Sequence, residues 1–194
     1  MRKISFATFL SVCSFCFLNA QTPPSKIFEA VKNNDLIEIK SLLDIGADPN
    51  SVDEDGDYLL MYAAMYSSMD CMQLLIEKGS NVNAKNKIEE TALMWSLHDL
   101  AKMKLLIQHG ADVNAIAKTG NTPLLIASIG HGKYDAVKLL IDKGADVFAV
   151  NIRKENALVR ASLFGDTATV SLLLNKGLDI NTFTQDSTTA LINA

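Results

Sequence analysis

Residues 110–124 read Gly-Ala-Asp-Val-Asn-Ala-Ile-Ala-Lys-Thr-Gly-Asn-Thr-Pro-Leu, and variants of this stretch recur along the chain. The glycine that opens the stretch and the leucine that ends it both recur in steps of 33, 31, 34 and 33 residues. Two independent markers that keep the same irregular step indicate an internal repeat. The glycines are Gly46, Gly79, Gly110, Gly144 and Gly177, and the marker leucines are Leu60, Leu93, Leu124, Leu158 and Leu191.

Each period contains the sequence signals of two helices. A Thr or Asn two residues before the marker leucine can cap the start of a first helix. Apolar residues then recur at helical spacing, as in Met103, Leu106 and Ile107, and predict a second helix. The recurring glycine can end that helix, because a left-handed backbone costs glycine little. The predicted caps are Thr91, Thr122, Asn156 and Thr189.

This pattern resembles the ankyrin repeat, and residues 110–114 and 122–124 match it closely. The resemblance implies an all-α solenoid of stacked helix-turn-helix units with finger loops, which covers residues 21–194. Ankyrin arrays need terminal repeats that cap the stack, and the first unit is interpreted as the N-terminal cap. The predicted repeats are residues 25–52, 53–84, 85–115, 116–149, 150–182 and an incomplete 183–194.

Two repeats differ in length from the others, and the last one is cut short. Repeat three lacks two residues around His98–Lys102, and repeat four gains one within Gly130–Lys133. We expect both changes to fall in the turn between the two helices, where a change of length disturbs the stack least. Because repeats bury their apolar faces only against neighbours, the short sixth repeat predicts that the chain is part of a longer protein.

The first twenty residues have the pattern of a secretory signal peptide. Arg2 and Lys3 precede a largely apolar run over residues 4–18, which is shorter than the ~20 residues of a membrane-spanning helix. We expect cleavage after Ala20 and export to the periplasm or the medium of a bacterial host. Cleavage would change the net charge from -4 to -6, because it removes two cations. Membrane attachment is expected only if the segment stays uncleaved, and lipidation at Cys13 is a weaker alternative.

Composition excludes some functions. The chain is 48% hydrophobic and 21% charged, which is typical of a folded soluble protein. It has no basic face for phosphates, so nucleic acid is not expected as a partner. Cys71 alone would remain after cleavage, and one cysteine forms no internal disulfide. Its neighbour Asp70 disfavours a reactive thiolate, so a packed, inert Cys71 is predicted.

No catalytic, cofactor or metal site is predicted, and the protein is not expected to be an enzyme. Residues 53–57 resemble the start of a calcium loop, but Tyr58 and Ala64 stand where that loop needs Gly and Glu. The histidines His98, His109 and His131 lie in different repeats without ligand spacing. Ser, His and Asp residues also show no catalytic grouping.

The ankyrin resemblance implies a monomer that binds a protein partner, of unidentified kind, through a concave groove formed by the fingers and the first helices. The finger of repeat two is acidic, and an apolar strip is expected along the groove, formed by Met65, Tyr66, Ile129, Leu163 and Phe164. Together they predict a partner with a basic patch and an apolar ridge. Tyr62, Trp95 and Ile126 are interpreted as packing residues. The alternative is that the chain is the binding portion of a longer protein, with a catalytic or anchoring domain beyond residue 194. The predicted protein-binding residues are Glu54, Asp55, Asp57, Met65, Tyr66, Lys87, Ile88, Glu90, Lys118, Asn121, Ile129, Ile152, Arg153, Glu155, Leu163 and Phe164.

Overall fold

The computed structural model describes residues 24–164 and 166–182, which form ten helices. The predicted all-α fold is confirmed. The predicted signal peptide, the alternative lipidation site and the incomplete sixth repeat, with Leu191 and Thr189, lie outside the described residues. The helices are α1 Pro24–Lys32, α2 Leu36–Asp44, α3 Leu59–Tyr66, α4 Met69–Glu77, α5 Ala92–Trp95, α6 Leu100–Gln108, α7 Pro123–Ala127, α8 Tyr134–Asp142, α9 Ala157–Leu163 and α10 Thr167–Asn175.

The helices lie in two rows. The first helices α1, α3, α5, α7 and α9 each contact the next member of their row, and so do the second helices α2, α4, α6, α8 and α10. Each first helix also contacts the second helix of its own repeat. One helix pair therefore falls in each of the five predicted repeats between residues 24 and 182. No helix among the described residues is long and apolar enough to cross a membrane.

The core runs through the whole stack between the two rows. The marker leucines Leu60, Leu93, Leu124 and Leu158 are buried, as their spacing predicts. Residues of the second helices at the predicted helical spacing, such as Met72 and Met103, are buried in the same continuous apolar cluster. Burying one such side chain contributes about 1.5–3 kcal/mol. The repeated apolar positions are thus what holds neighbouring repeats together.

The predicted helix caps are present at two of the three described positions. Thr122 accepts a hydrogen bond from the Leu125 amide at 3.3 Å, and Asn156 accepts one from the Val159 amide at 2.9 Å. The predicted cap at Thr91 is wrong, because its buried hydroxyl has no hydrogen-bond partner among the described residues. Thr91 precedes α5, which is a single turn of 4 residues.

Repeat three is shortened in its first helix, and the prediction that only the turn shortens is wrong. Helix α5 has 4 residues, whereas its counterpart α3 in repeat two has 8. The second helices α4 and α6 both keep 9 residues, so the deletion does not shorten the second helix of repeat three. Ser96 ends α5, because its amide bonds back to the carbonyls of Ala92 and Leu93. The first row nevertheless stays continuous, because α5 contacts both α3 and α7.

An asparagine ladder joins successive repeats along one side of the stack. Each asparagine donates a hydrogen bond to the carbonyl of the next closing glycine and accepts one from the amide two residues after that glycine. For Asn83, the first bond goes to Gly110 O at 2.9 Å and the second comes from Asp112 N at 2.8 Å. Asn50 and Asn114 make the same pair of bonds. Phe148 holds this position in the following repeat, so its side chain can form neither bond.

Candidate functional site

The fingers are short loops that precede the first helices: residues 53–57 (finger two), 86–90 (finger three), 117–121 (finger four) and 151–155 (finger five). In three of them the first side chain holds the loop closed, because its oxygen accepts two amides of the same finger. Asp53, Asn86 and Asn151 do this at 2.8–3.1 Å. Finger four begins with Ala117, whose side chain cannot accept these amides. It is closed by the backbone bond from the Ala117 amide to the Asn121 carbonyl, which the other three fingers also make between their first and last residues.

Neighbouring fingers are linked to each other through their backbones. The Lys118 amide donates to the Ile88 carbonyl at 2.9 Å, and the Ile152 amide donates to the Thr119 carbonyl at 3.2 Å. Gly120 (φ +74°) lies against finger five, where a Cβ would come within 2.9 Å of the Ile152 nitrogen. Fingers three, four and five therefore form one continuous surface.

Finger two is joined to finger three by side chains instead. The Asn86 amide donates to the Asp57 carboxylate at 2.6 Å, and the Lys87 ammonium donates to the Glu54 carbonyl at 2.5 Å. Two of the predicted site residues, Asp57 and Lys87, are thus engaged within the protein. The side chains of Glu54 and Asp55 are exposed at the tip.

The first helices support the fingers with a polar side chain two residues after the marker leucine. Each of these side chains donates to a carboxylate of the finger in the same repeat. Tyr62 and Trp95 also pack on the apolar core, whereas Arg160 also donates to the Leu125 carbonyl. The packing interpretation of Tyr62 and Trp95 is therefore confirmed, and both also have a polar role. The bonds join Tyr62 to Asp53 (2.5 Å), Trp95 to Glu90 (2.8 Å) and Arg160 to Glu155 (2.9 Å).

These bonds change the acidity of the finger carboxyls. Burial tends to raise the pKa of Asp53, but hydrogen bonds from the Tyr62 hydroxyl and from two finger amides outweigh it and lower the pKa. Burial also opposes ionisation of Glu155, and hydrogen bonds from Asn151 and Arg160 lower its pKa overall. The same bond to Asp53 raises the pKa of Tyr62 well above its ordinary value. These carboxylates are therefore ionised and internally paired near neutral pH.

The predicted binding residues consequently fall into two groups. Glu90, Asn121 and Glu155 take part in bonds between or within fingers, and the Glu155 side chain is only 17% exposed. Their contact with a partner stays a prediction. Five others on the fingers are exposed: Glu54, Asp55, Ile88, Lys118 and Ile152. Lys87 and Arg153 are exposed too, but their side chains also bond within the protein, to the Glu54 carbonyl and to the Glu155 carboxylate.

The predicted apolar strip is exposed along the first helices and is divided into three places. Tyr66 lies beside Tyr62, with ring centroids 6.0 Å apart. Met65 and Ile129 line one cleft with Trp95. Phe164 meets the His131 ring edge-on at 6.4 Å, and its neighbour Leu163 is also exposed. The structure therefore brings Met65 and Ile129 together, whereas Phe164 lies beside the turn of repeat four.

Two buried cations were missed from the sequence. Arg160 is buried and links finger five to the Leu125 carbonyl of repeat four. Lys102 is also buried, and its ammonium donates to Ala64 O at 3.0 Å, at the C-terminal end of α3. A cation is stabilising there, because the helix end carries partial negative charge. The pairing of Arg160 with Glu155 could have been found from their spacing, because they are five residues apart, as are Trp95 and Glu90 in repeat three.

Cys71 is buried, as predicted, and its thiol lies 3.2 Å from the side-chain oxygen of Asn34. Asn34 also accepts the Ser68 amide at 2.6 Å, so this corner joins repeats one and two. Within residues 24–164 and 166–182, no group of three or more His, Cys, Asp or Glu side chains could hold a metal ion. Cys71 thus belongs to the packing of the stack.

Comparison with known proteins gives one family. The model of ankyrin repeats (3 copies) matches residues 27–117, 79–151 and 124–194. The chain is similar to an ankyrin repeat protein of Acanthamoeba polyphaga mimivirus, with 38% identity over 66% of this chain and 63% of that protein. It is also similar to M-phase phosphoprotein 8 of Rattus norvegicus, with 40% identity over 40% of this chain and 10% of that protein. An ankyrin repeat protein of Escherichia coli is 29% identical over 32% of this chain and 31% of that protein.

These relatives come from a virus, a mammal and a bacterium, and they do not favour a bacterial host for this chain. The matched region spans about a tenth of the mammalian protein and less than two thirds of the viral one. The chain is therefore similar to ankyrin repeats in these proteins, and the matched region makes up only part of their length.

Proposed function

This chain belongs to the ankyrin repeat family, and from that premise we propose that it is an exported module that binds a protein partner through its groove and fingers. Ankyrin repeats are generally protein–protein interaction modules, and the family is typically non-catalytic. The match to the family model confirms the ankyrin resemblance inferred from the sequence. We propose that the chain acts as a monomer and by binding alone.

The observation that carries the proposal is the set of large apolar side chains that stay exposed on the first-helix side. Tyr66 is 57% exposed, Leu163 51% and Ile129 39%. Aromatic and Met side chains are enriched in the buried centres of protein interfaces. These residues lie next to a finger surface that is held rigid by internal bonds, and a preorganised surface loses little entropy when it binds.

Charge favours a partner with a basic patch facing finger two. The carboxylates of Asp53 and Asp57 are held by internal hydrogen bonds, while those of Glu54 and Asp55 project at the tip. Exposed charges of one sign steer an oppositely charged partner and raise its association rate more than its final affinity. We therefore propose that finger two orients the partner and that the apolar strip retains it.

Export is proposed from the pattern of residues 1–20, which combines a basic start, a short apolar run and a small residue before the expected cleavage site. Mass measurement of the N-terminus of the secreted chain tests it. A mature chain that begins at Gln21 supports export with cleavage. An intact N-terminus in the membrane fraction would favour a tether instead.

A second proposal is that the chain is the binding portion of a longer polypeptide. The relatives support it, because the repeats similar to this chain make up only 10% of the rat protein. A reading frame that continues past residue 194 into a further domain would support this proposal, and a stop codon directly after Ala194 would contradict it.

The groove is tested by quantitative capture of partners from host extract with the purified chain. The double variant Tyr66→Ala, Phe164→Ala should reduce recovery of a specific partner at least tenfold, because each truncation removes an exposed aromatic contact. The matched control is Ile37→Ala, Ile45→Ala, which removes two exposed apolar side chains at helix α2 of the other row.

Unfolding curves of all variants are measured in parallel. Phe164 is only 38% exposed, so its truncation should lower the free energy of unfolding by about 1 kcal/mol, and capture is compared where every variant is folded. Equal recovery by the wild type and the groove variant would contradict the proposed placement. So would equal losses in the groove variant and the control.

A further inference from the structure

A cleft lies on the first-helix side at repeat three. Its lining includes Met65 from the end of α3 in repeat two, Trp95 of α5, Ile126 of α7 and Ile129 from just after α7 in repeat four. We call this cleft the notch. It is lined by side chains of repeats two, three and four, and α5, which lies between α3 and α7, has only 4 residues.

The size of the notch limits what could occupy it. Its volume is about 280 Å³. Pockets for drug-sized ligands span about 300–1,000 Å³ and enclose most of the ligand, whereas the notch is smaller and open to solvent. Its lining is mainly apolar. One large aliphatic or aromatic side chain that projects from a longer chain fits such a space, as anchor residues of protein interfaces do.

The lining of the notch includes a cation. Lys133, just before α8, lines the notch, and so does the exposed imidazole of His98. None of the described residues that line the notch is acidic. Two carboxylates next to the notch in sequence or by contact with Lys133 are held by internal bonds, since Asp99 accepts amides at the start of α6 and Asp166 accepts the Thr169 amide and hydroxyl. Asp166 also accepts the backbone amide of Lys133, which leaves the ammonium of that lysine available to a partner.

We propose that the notch is the anchor site for a segment of the protein partner in which a large apolar residue adjoins an acidic residue. The apolar side chain fills the space between Met65 and Ile129, and the neighbouring carboxylate pairs with Lys133. The proposal rests on the function proposed above and specifies the partner chemistry at repeat three. The partner would then carry its basic patch opposite the acidic tip of finger two and its acidic residue opposite Lys133.

The test uses a phage-displayed library of random dodecapeptides against the immobilised full chain and, in parallel, against Lys133→Glu. Peptides enriched on the wild type should contain a large apolar residue next to Asp or Glu. The same selection on Lys133→Glu should replace the acidic residue by Lys or Arg. Lys133 precedes α8 without a side-chain cap, and a carboxylate near a helix start is favourable, so this variant should fold normally. Lys143→Glu, at the far end of α8, is the matched charge control and should select the same peptides as the wild type.

Affinities of one enriched peptide, measured by fluorescence anisotropy, separate the two contributions. Ile129→Ser should weaken binding about tenfold by removing a wall of the notch, and Lys133→Glu should weaken it about two- to fivefold, as for an exposed ion pair. Because Ile129 is only 39% exposed, Ile129→Ser should lower the free energy of unfolding by about 1 kcal/mol, and affinities are compared where urea unfolding shows both proteins folded.

Each other outcome overturns the anchor site. Enriched peptides without the paired apolar and acidic residues would do so, as would peptides whose affinity is unchanged by both notch variants. If such peptides lose affinity on Tyr66→Ala, the groove function stands and only the notch is wrong. If no peptide is enriched, the notch does not bind peptides, and partner capture by the Tyr66 and Phe164 variants still decides the groove function separately.

Discussion

The substitution Phe148→Asn should stabilise the stack, because it would extend the asparagine ladder by one step. Asn83 and Asn114 each make two hydrogen bonds to the following repeat, and Phe148 stands at the next equivalent position. The backbone there already has the required geometry. The Phe148 amide donates to the Asp146 carboxylate at 2.9 Å, as the Asn114 amide does to Asp112 at 2.8 Å. An asparagine at 148 would therefore reach Gly177 O and Asp179 N.

The expected gain follows from the bonds and their exposure. A net intramolecular hydrogen bond contributes about 0.5–1.5 kcal/mol, and the lower half of that range applies where both partners can also bind water. Two such bonds give about 1 kcal/mol. The lost phenyl ring costs little, since Phe148 is 64% exposed. A gain of 1 kcal/mol corresponds to a rise in Tm of about 2–4 °C for a chain of this size.

Urea unfolding followed by circular dichroism measures this change. Phe148→Ala is the matched control, because it removes the ring and adds no hydrogen bond. Asn83→Ala gives the reverse experiment and should destabilise by about 1 kcal/mol. Hydrogen exchange should show the gain of Phe148→Asn mainly at α9 and α10, since coupling in a solenoid passes between neighbours. Equal stability of Phe148→Asn and Phe148→Ala would refute the reasoning.

Three further predictions concern the fingers. Gly120→Ala should destabilise the chain by at least about 1 kcal/mol more than Gly110→Ala in urea unfolding, because both glycines have positive φ but only the Cβ at 120 would meet a neighbouring finger backbone. Asp53→Asn should reduce the loss of stability on acidification. The folded-state pKa of Asp53 is lowered, so the carboxylate stabilises the fold above about pH 4 and this contribution is lost as the pH falls below that value. Tm measured from pH 6 to 3 tests this, and the same pH profile for variant and wild type would contradict it. Trp95→Phe should lower the free energy of unfolding by about 1 kcal/mol, because it removes the donor to Glu90. Combined with Glu90→Gln, it should lower the free energy of unfolding by less than the sum of the two single changes.

The fold could be predicted from the sequence because its determinants are local and repeated. Each marker leucine occupies the same buried position, and each capping residue acts within three residues of itself. Five copies of one pattern reinforce each other, so a departure in a single copy does not hide the period. Thr91 shows the limit of this reasoning, since a residue type that caps one helix makes no such bond where the helix is one turn long.

The candidate site was harder to predict, because its side chains are paired across the fold. Exposed positions of the repeat predicted Glu90 and Glu155 as partner contacts, but both carboxylates bind donors of their own repeat. The notch combines side chains of three repeats, and that combination required the structure. The deletion itself was visible in the step of 31 residues, whereas the pairing of Met65 with Ile129 across repeat three was not.

The buried position of Lys102 gives the stack an internal reporter of its own opening. Reagents that acylate amines modify lysines in contact with water, and the Lys102 amine is enclosed against α3 of the preceding repeat. It becomes accessible when α6 separates from α3. The rate of Lys102 acylation, followed by mass spectrometry, would therefore report how fast repeats two and three separate. Acylation of surface lysines such as Lys143 would serve as the reference for reagent exposure.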